Sequence, residues 1–368
     1  MNFDYSDDEK LLQDTVNKLF KSKFPITEVR KFVEGEKIPS TLIKLLANQG
    51  LLGTTTWDRR KNKMEGVIYS VIIAYEAGRA LLPFPLLENH VASFILNKYQ
   101  KGIIADSLIS GEEVATVAWE KSSIKMKRDA DCFIVTGEFT GVPFANDCDY
   151  MLARVSLDSN QECIAIFNIN SPNISKVKRD SMDQTYPLYN VQLNGYRLTR
   201  NQLIGSENDG SEIYEEMKMF ARLLLCAEMV GGSEEILGIT VNYANERKQF
   251  GQAISKFQAI KHLAAEMYLL LESSKSTLDY ATWAVDTNNE ERERVIPLLK
   301  SYVSDASNKI TGTSIQIHGG IGFTWESDVH LYFKRSRRSA ILLGDSYYHN
   351  EQIAKYMEKE FLLNPLKI

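Results

Sequence analysis

The sequence predicts an α+β multi-domain chain: an N-terminal helical domain over residues 1–112, a middle β-barrel or sandwich over 113–208, and a C-terminal four-helix bundle over 209–368. Three observations carry that expectation. Apolar residues recur at helical spacing as far as about Gly111. Short β-favouring runs, separated by turns of Asp, Asn, Ser and Gly, occupy residues 114 to about 203. Long helical patterns return near Glu212 and continue through the last third.

Each element has its own signal. Ser6 with Glu9 three positions later matches a capping box, and Leu11, Leu12, Val16 and Leu19 follow at helical spacing. Residues 42–52 and 67–80 read as further helices, the first ended by Gly50 and Gly53. Pro83 and Pro85 break the pattern, because proline has no amide hydrogen to give a helix, and 87–99 resumes it. Runs 114–118, 132–135, 150–155, 163–167 and 191–193 read as strands of one small β domain. Helices over 211–248, 256–286, 292–317 and 346–361 complete the expected bundle.

Composition narrows the function classes. A hydrophobic fraction of 44% with 25% charged residues is ordinary for a soluble protein. The formal net charge of −5 gives no global electrostatic case for nucleic acid. The basic run Lys334, Arg335, Arg337 and Arg338 is local and reads as a solvated helix face or an anion contact. Cys132, Cys148, Cys163 and Cys226 show no CxxC spacing and no disulfide-rich density, so buried free thiols in a reducing compartment are expected. The acidic N-terminus is a poor signal or transit peptide, and no run of about 18 apolar residues is present to insert in a membrane. A cytoplasmic location is the expectation.

Two motifs stand out in the last third. Arg247 lies near the expected end of a long helix, with Phe250 three residues on, then Gly251, and Gln258 further along. An arginine can hold phosphate through its planar fork, and a phenylalanine can present a flat face to an adenine. Taken alone, Arg-x-x-Phe-Gly is equally an ordinary helix end. The second motif is Gln316-x-x-Gly319-Gly320-x-Gly322-Phe323. Glycines without Cβ atoms let backbone amides approach a diphosphate, and the glutamine can add amide contacts. A helix C-cap explains a Gly-Gly pair but not the whole set. His318 inside it, like the other dispersed histidines, fits no metal-ligand pattern.

Together these blocks resemble the flavin-binding C-terminal domain of the acyl-CoA dehydrogenases, and the order helical, β, helical is the order that family uses. The resemblance implies FAD as cofactor and an acyl-CoA thioester as substrate. It implies flavin contacts from Arg247, Phe250, Gln258, Gln316, Gly319 and Gly320, with the first three reaching a neighbouring subunit's flavin. It also matches Arg222 to an arginine placed beside the active site, which is otherwise a helix-packing residue.

The departures are as informative. The reaction requires a base to remove the α-proton while hydride leaves the β-carbon. Aligned from Gln316 onward, Leu343 stands where the family usually keeps its catalytic glutamate, and Ala221 stands where one branch places the alternative. Neither side chain can accept a proton. Asp345 is the nearest remaining carboxylate, where the family usually has a flavin-contacting threonine, and is a candidate shifted base. In the β domain, Ala118-Trp119-Glu120-Lys121 replaces the family's Thr-Glu-Pro turn, and Gly141-Val142-Pro143 replaces its Trp-x-Thr strand. Trp119 is a candidate for packing on flavin or for the domain's own core.

Some members of the family assemble from two different subunits, one of which supplies the base. A chain that keeps the donated contacts and lacks the base resembles the other subunit. The alternatives are a self-sufficient acyl-thioester dehydrogenase using Asp345, and a flavin-free binding or regulatory paralogue. The sequence does not identify the acyl group.

Overall fold

The computed structural model describes residues 5–35, 37–120, 123–157, 161–206 and 208–363, with side chains to residue 359. The first helices are α1 (Asp7–Lys23), α2 (Ile26–Val33) and α3 (Ser40–Asn48), followed by a hairpin of β1 (Thr56–Asp58) and β2 (Lys63–Glu65). Next come α4 (Val67–Arg79), α5 (Leu86–Lys98) and α6 (Gly102–Ser110). Eight strands then run β3 (Ala115–Ala118), β4 (Lys125–Asp129), β5 (Cys132–Pro143), β6 (Tyr150–Ser156), β7 (Glu162–Asn168), β8 (Ile174–Arg179), β9 (Leu188–Thr199) and β10 (Leu203–Ile204). The last third holds α7 (Gly210–Glu246), a hairpin of β11 (Lys248–Gln249) and β12 (Gln252–Ala253), α8 (Gln258–Asp286), α9 (Arg292–His318), α10 (Val329–Ile341) and α11 (Ser346–Leu363).

The chain forms two compact units. One contains Met1–Arg30, Val67–Leu82 and Arg222–Ile368; the other contains Lys31–Gly66 and Pro83–Ala221. In the first, the capping box stands as expected: the Ser6 hydroxyl accepts from Glu9 N–H, and the Glu9 carboxylate accepts from Ser6 N–H. Two glycines bring α4 and α7 together. A Cβ on Gly78 would lie 1.9 Å from the Glu228 carbonyl oxygen, and one on Gly231 would lie 1.9 Å from that of Tyr75. Only hydrogen fits at either crossing point.

In the second unit the strands form two four-stranded sheets, ordered β10-β7-β6-β3 and β4-β5-β9-β8. Phe139 and Phe167 from the two sheets meet edge to face at 5.7 Å, so the β domain is a sandwich with an aromatic core. Gly50 caps α3 at φ +68, and Leu51 N–H returns to the Leu46 carbonyl, a Schellman-type end.

Several elements differ from the sequence expectation. The hairpin β1–β2, helices α2 and α6, and strands β4, β8 and β10 are additional. Met126 is the only buried residue of β4 and β8 has none, so neither strand carries an apolar alternation. The largest correction is α10, a helix absent from the expected four. Its buried face includes His330, Tyr332, Arg335, Ser336 and Ser339, so apolar periodicity could not reveal it.

Candidate functional site

The two C-terminal motifs meet at one place. Near the end of α7 the Tyr243 ring stacks on His318 at the end of α9, with centroids 4.2 Å apart, and the Tyr243 hydroxyl donates to the His318 carbonyl at 3.4 Å. His318 Nδ1 also bonds the Ser314 carbonyl at 2.8 Å. This histidine is thus a buried structural joint, and among the described residues no cluster of His, Cys, Asp and Glu could hold a metal.

Past the joint, α7 ends at Glu246, two residues earlier than expected, and Phe250 lies four residues beyond its end. It sits at the tip of the β11–β12 hairpin, where Phe250 has φ +52 and Gly251 φ +81. Positive φ at both central residues is the type I′ turn, for which glycine suits the second position and phenylalanine is strained at the first. The ring is 92% exposed, with an edge-on contact to the Phe257 ring at 6.0 Å between centroids, so little of it is packed within the chain. Strained backbone of this kind is common at ligand sites.

Arg247 and Gln258, the first residue of α8, are also exposed. On the other motif Gln316, Gly319 and Gly320 are exposed, and a Cβ on either glycine would meet open space. The six residues offer a cationic fork, a flat ring, two amides and uncovered backbone. Those donors fit a dinucleotide, and every one of them faces away from the body of its own chain.

A second arrangement surrounds Leu343. Its φ of +62 is unusual for leucine. Its carbonyl accepts from Arg222 Nε at 3.2 Å and from His349 Nε2 at 3.1 Å. Burial pushes the His349 pKa down to about 3, so the ring is neutral and its proton sits on Nε2. Beneath the corner lies Lys300, fully buried, whose amine donates to the Ala340 and Gly344 carbonyls at 2.9 Å each and to Ser304 Oγ at 3.0 Å. Burial pulls its pKa down to about 8. Arg222, 9% exposed, also lies over the Tyr348 ring at 5.9 Å. The corner is held by three nitrogen donors, and the side chain it presents is a hydrocarbon.

Asp345 follows directly but has other work. It is exposed, and its carboxylate accepts from Tyr348 N–H at 2.8 Å, capping α11. Ala221, on α7, is fully buried and carries no proton acceptor.

In the β-containing unit the positions that replace the family's flavin-facing turns are filled from within. Trp119 is 8% exposed, and its indole N–H donates to Glu88 at 3.1 Å. Glu88 also accepts from the Tyr186 hydroxyl, and the Trp119 carbonyl accepts from Tyr214. Phe144, which follows the Gly141-Val142-Pro143 segment, is fully buried and meets Tyr186 edge to face at 4.9 Å. Of the two readings of Trp119, the core tryptophan is the one that holds. Lys121, in the same motif, lies outside the described residues.

The basic run on α10 is corrected as well. Arg335 and Arg338 are turned inward, with side chains 7% and 9% exposed, and both bind Glu228 of α7, at 2.9 and 3.3 Å. Lys300, Glu228, His349 and Tyr243 were not singled out by sequence. A lone lysine, glutamate or tyrosine within an apolar helix pattern gives no local signal of the partner it will meet. All four cysteines are buried free thiols, and among the described residues no helix is long and apolar enough to cross a membrane.

Comparison with known proteins gives these arrangements a lineage. Residues 208–358 match the acyl-CoA dehydrogenase C-terminal domain family. The acyl-CoA dehydrogenase IpdE2 of Mycolicibacterium smegmatis is 26% identical over 341 residues, spanning 92% of this chain and 95% of that protein. IpdE2 of Mycobacterium tuberculosis is 41% identical over 145 residues, 39% of this chain and 42% of that one. Among solved structures, a chain of the ChsE4–ChsE5 complex from Mycobacterium tuberculosis superposes with a TM-score of 0.87, covering 98% of this chain and 99% of that chain. At 20% identity the last likeness speaks to the fold.

Proposed function

The chain belongs to the acyl-CoA dehydrogenase family of FAD-linked oxidoreductases, and from that premise we propose that it is the base-lacking subunit of a heteromeric acyl-CoA dehydrogenase. Its partner in this reading is a related chain that carries the catalytic glutamate. The observation that carries the reading is Leu343: the backbone corner where the family keeps its base is held by Arg222 and His349, yet presents no proton acceptor.

Bound flavin would supply the acceptor for the hydride leaving the acyl β-carbon. This chain's share is binding and order. Arg247 would pair with the pyrophosphate, Phe250 would lie against the adenine, and Gln258, Gln316, Gly319 and Gly320 would complete the donors. Arg222 would serve the acyl-thioester end of the site. The α-proton would pass to the partner's carboxylate, because Leu343 and Ala221 cannot take it and Asp345 caps a helix.

Two further facts support a mixed assembly. The donated flavin contacts are exposed and intact, whereas Trp119 and Phe144 are engaged in the core of their own unit. The ChsE4–ChsE5 neighbour is, by its name, an assembly of two different chains. A homo-oligomer would set each donated half against an equally incomplete pocket.

The test is co-expression with any adjacent gene encoding a related, glutamate-bearing chain, followed by native mass spectrometry and flavin counting. The expected result is an α2β2-type assembly holding one flavin for each pair of chains. A homotetramer with one flavin per chain would sink the reading and return Asp345 to consideration. A colourless complex would favour the flavin-free paralogue.

A further inference from the structure

A cavity of about 240 Å³ lies within the first unit, walled by α1, α4, α7 and α10, and none of its lining residues belongs to either flavin motif. We propose that it is a second ligand site, for a small molecule with a primary ammonium head and a compact apolar body, the head seated on the Glu76 carboxylate. The proposal does not depend on the flavin reading.

The first argument is an open acceptor. Glu76 lines the cavity and is 1% exposed. Its Oε2 accepts from Asn17 Nδ2 at 2.5 Å. Its Oε1 has no hydrogen-bond donor among the described residues, and Arg79 Nη1 stands off at 3.7 Å. Burial pushes the Glu76 pKa up, although Asn17, Arg79 and Gln13 favour the charged form. A buried carboxylate oxygen without a donor is costly, and a donor arriving from the cavity removes that cost.

Charge is the second argument, because the neighbouring cations are already committed. Arg79 gives Nε and Nη2 to Glu235 at 3.0 and 2.8 Å, and its Nη1 lies 3.5 Å from Glu234. Glu234 also accepts from Lys275 at 2.5 Å and from the Tyr75 hydroxyl at 2.7 Å. Glu76, Glu234 and Glu235 thus share two cations among three carboxylates. The lining repeats the imbalance, with Glu76, Glu235 and Asp328 against Lys21 and Arg79. Of these, Asp328 is bound by Arg30 at 2.7 Å, and Lys21 is exposed. An ammonium brings one positive charge and three donors, whereas an anionic ligand would deepen the deficit.

Shape is the third argument. Phe20, Phe24, Ala80 and Ile239 supply apolar wall. Water would satisfy Glu76 but leave that wall wetted, and a hydrocarbon body removes it from water. An apolar cavity of ~150 Å³ admits benzene. The larger volume here therefore suits a ring with a short arm. The Tyr332 hydroxyl donates to the Arg79 carbonyl at 2.7 Å, which ties the end of α4 to α10 and leaves the site formed before a ligand arrives.

The probes are 2-phenylethylamine, its neutral counterpart 2-phenylethanol, and 3-phenylpropionate. Each is titrated by calorimetry at neutral pH into the full-length chain, with any partner that co-purifies, as wild type, Glu76→Gln and Ile239→Trp. The amine should bind saturably and about tenfold more tightly than the alcohol, and the acid should not bind. Glu76→Gln keeps the shape and loses the charge, so it should raise the Kd of the amine about tenfold and that of the alcohol less than about threefold. Ile239→Trp fills the apolar end and should abolish binding of both, with circular dichroism and flavin content as in wild type. The proposal is overturned by amine binding that is absent, matched by the alcohol, unchanged in folded Glu76→Gln or retained in Ile239→Trp. The first of these results would leave water as the occupant. Should Glu76→Gln not fold, the ranking of probes on wild type and the Ile239→Trp result decide.

Discussion

Replacing Lys300 with methionine should alter how stability responds to pH more than its value at neutrality. Burial lowers the pKa of the amine from 10.5 to about 8 in the folded chain, while the unfolded chain keeps the ordinary value. Between those values the unfolded state holds a proton that the folded state has released. Unfolding free energy therefore rises with pH across that window. Below about pH 8 both states are protonated and the cost of the buried charge is fully present. At ~1.4 kcal/mol per pH unit the complete window is worth about 3 kcal/mol, of which about 2 kcal/mol falls between pH 7 and pH 9.5. Methionine fills similar space and cannot titrate, so its stability should lack that rise.

The substitution also leaves the Ala340 and Gly344 carbonyls without this donor, at ~1–3 kcal/mol each. At pH 7 that loss is offset by removal of the buried charge, so the variant should be at most about 3 kcal/mol less stable. By pH 9.5 the gap should have widened by about 2 kcal/mol. Urea unfolding of both proteins at half-unit steps over this range measures the difference directly, free of other titrating groups common to both. Parallel profiles would refute the reasoning, since they would mean that the amine keeps its proton throughout.

Other expectations follow from the same geometry. Arg247→Ala should lower flavin affinity tenfold or more, read by titration in the assembled protein, because it removes a charge-assisted phosphate contact worth ~1.5–3 kcal/mol. Phe250→Gly should weaken flavin binding while moving the melting free energy by less than about 1 kcal/mol, since glycine relieves the positive φ but loosens the unfolded chain. Glu228→Gln should cost about 3–5 kcal/mol in denaturant unfolding, because it removes the negative charge that both inward arginines bind. The isolated chain should turn over acyl-CoA ~10²–10⁴-fold more slowly than a base-bearing assembly; robust turnover lost in Asp345→Asn would show that the carboxylate capping α11 is the base after all.

What could be read in advance depended on how local the signal was. The Ser6 and Glu9 capping box sits within a few residues and stands where the sequence put it. Gly50 does turn the chain out of α3, but the helix runs Ser40–Asn48 and stops four residues short of the expected 52, so Gly53 plays no part in ending it. The order of helical and β segments was legible because apolar spacing differs between the two. Helix α10 was not, because its inward face is largely polar: Arg335 binds Glu228 more than a hundred positions away, and Ser336 bonds Ser307 and Asn308 of α9. At the candidate site the motif residues were visible as letters but their conformation was not. That Phe250 stands on a strained hairpin tip, and that Tyr243 and His318 join the two motifs, are long-range outcomes of how α7 and α9 end.

The exposed rings in and just after the two motifs bear on how the protein must be made. Phe250 is 92% exposed, Phe323 73% and Trp325 57%. Aromatic surface left in water favours contact with any other apolar surface, including another copy of itself. If the chain pairs as proposed, a cell that synthesises it in excess accumulates the half with the stickier face. Balanced translation of the two chains, or early meeting of the nascent pair, would keep that face covered from the start. Expressed on its own, the chain should show its poorest solubility at the concentrations where the matched pair stays clear.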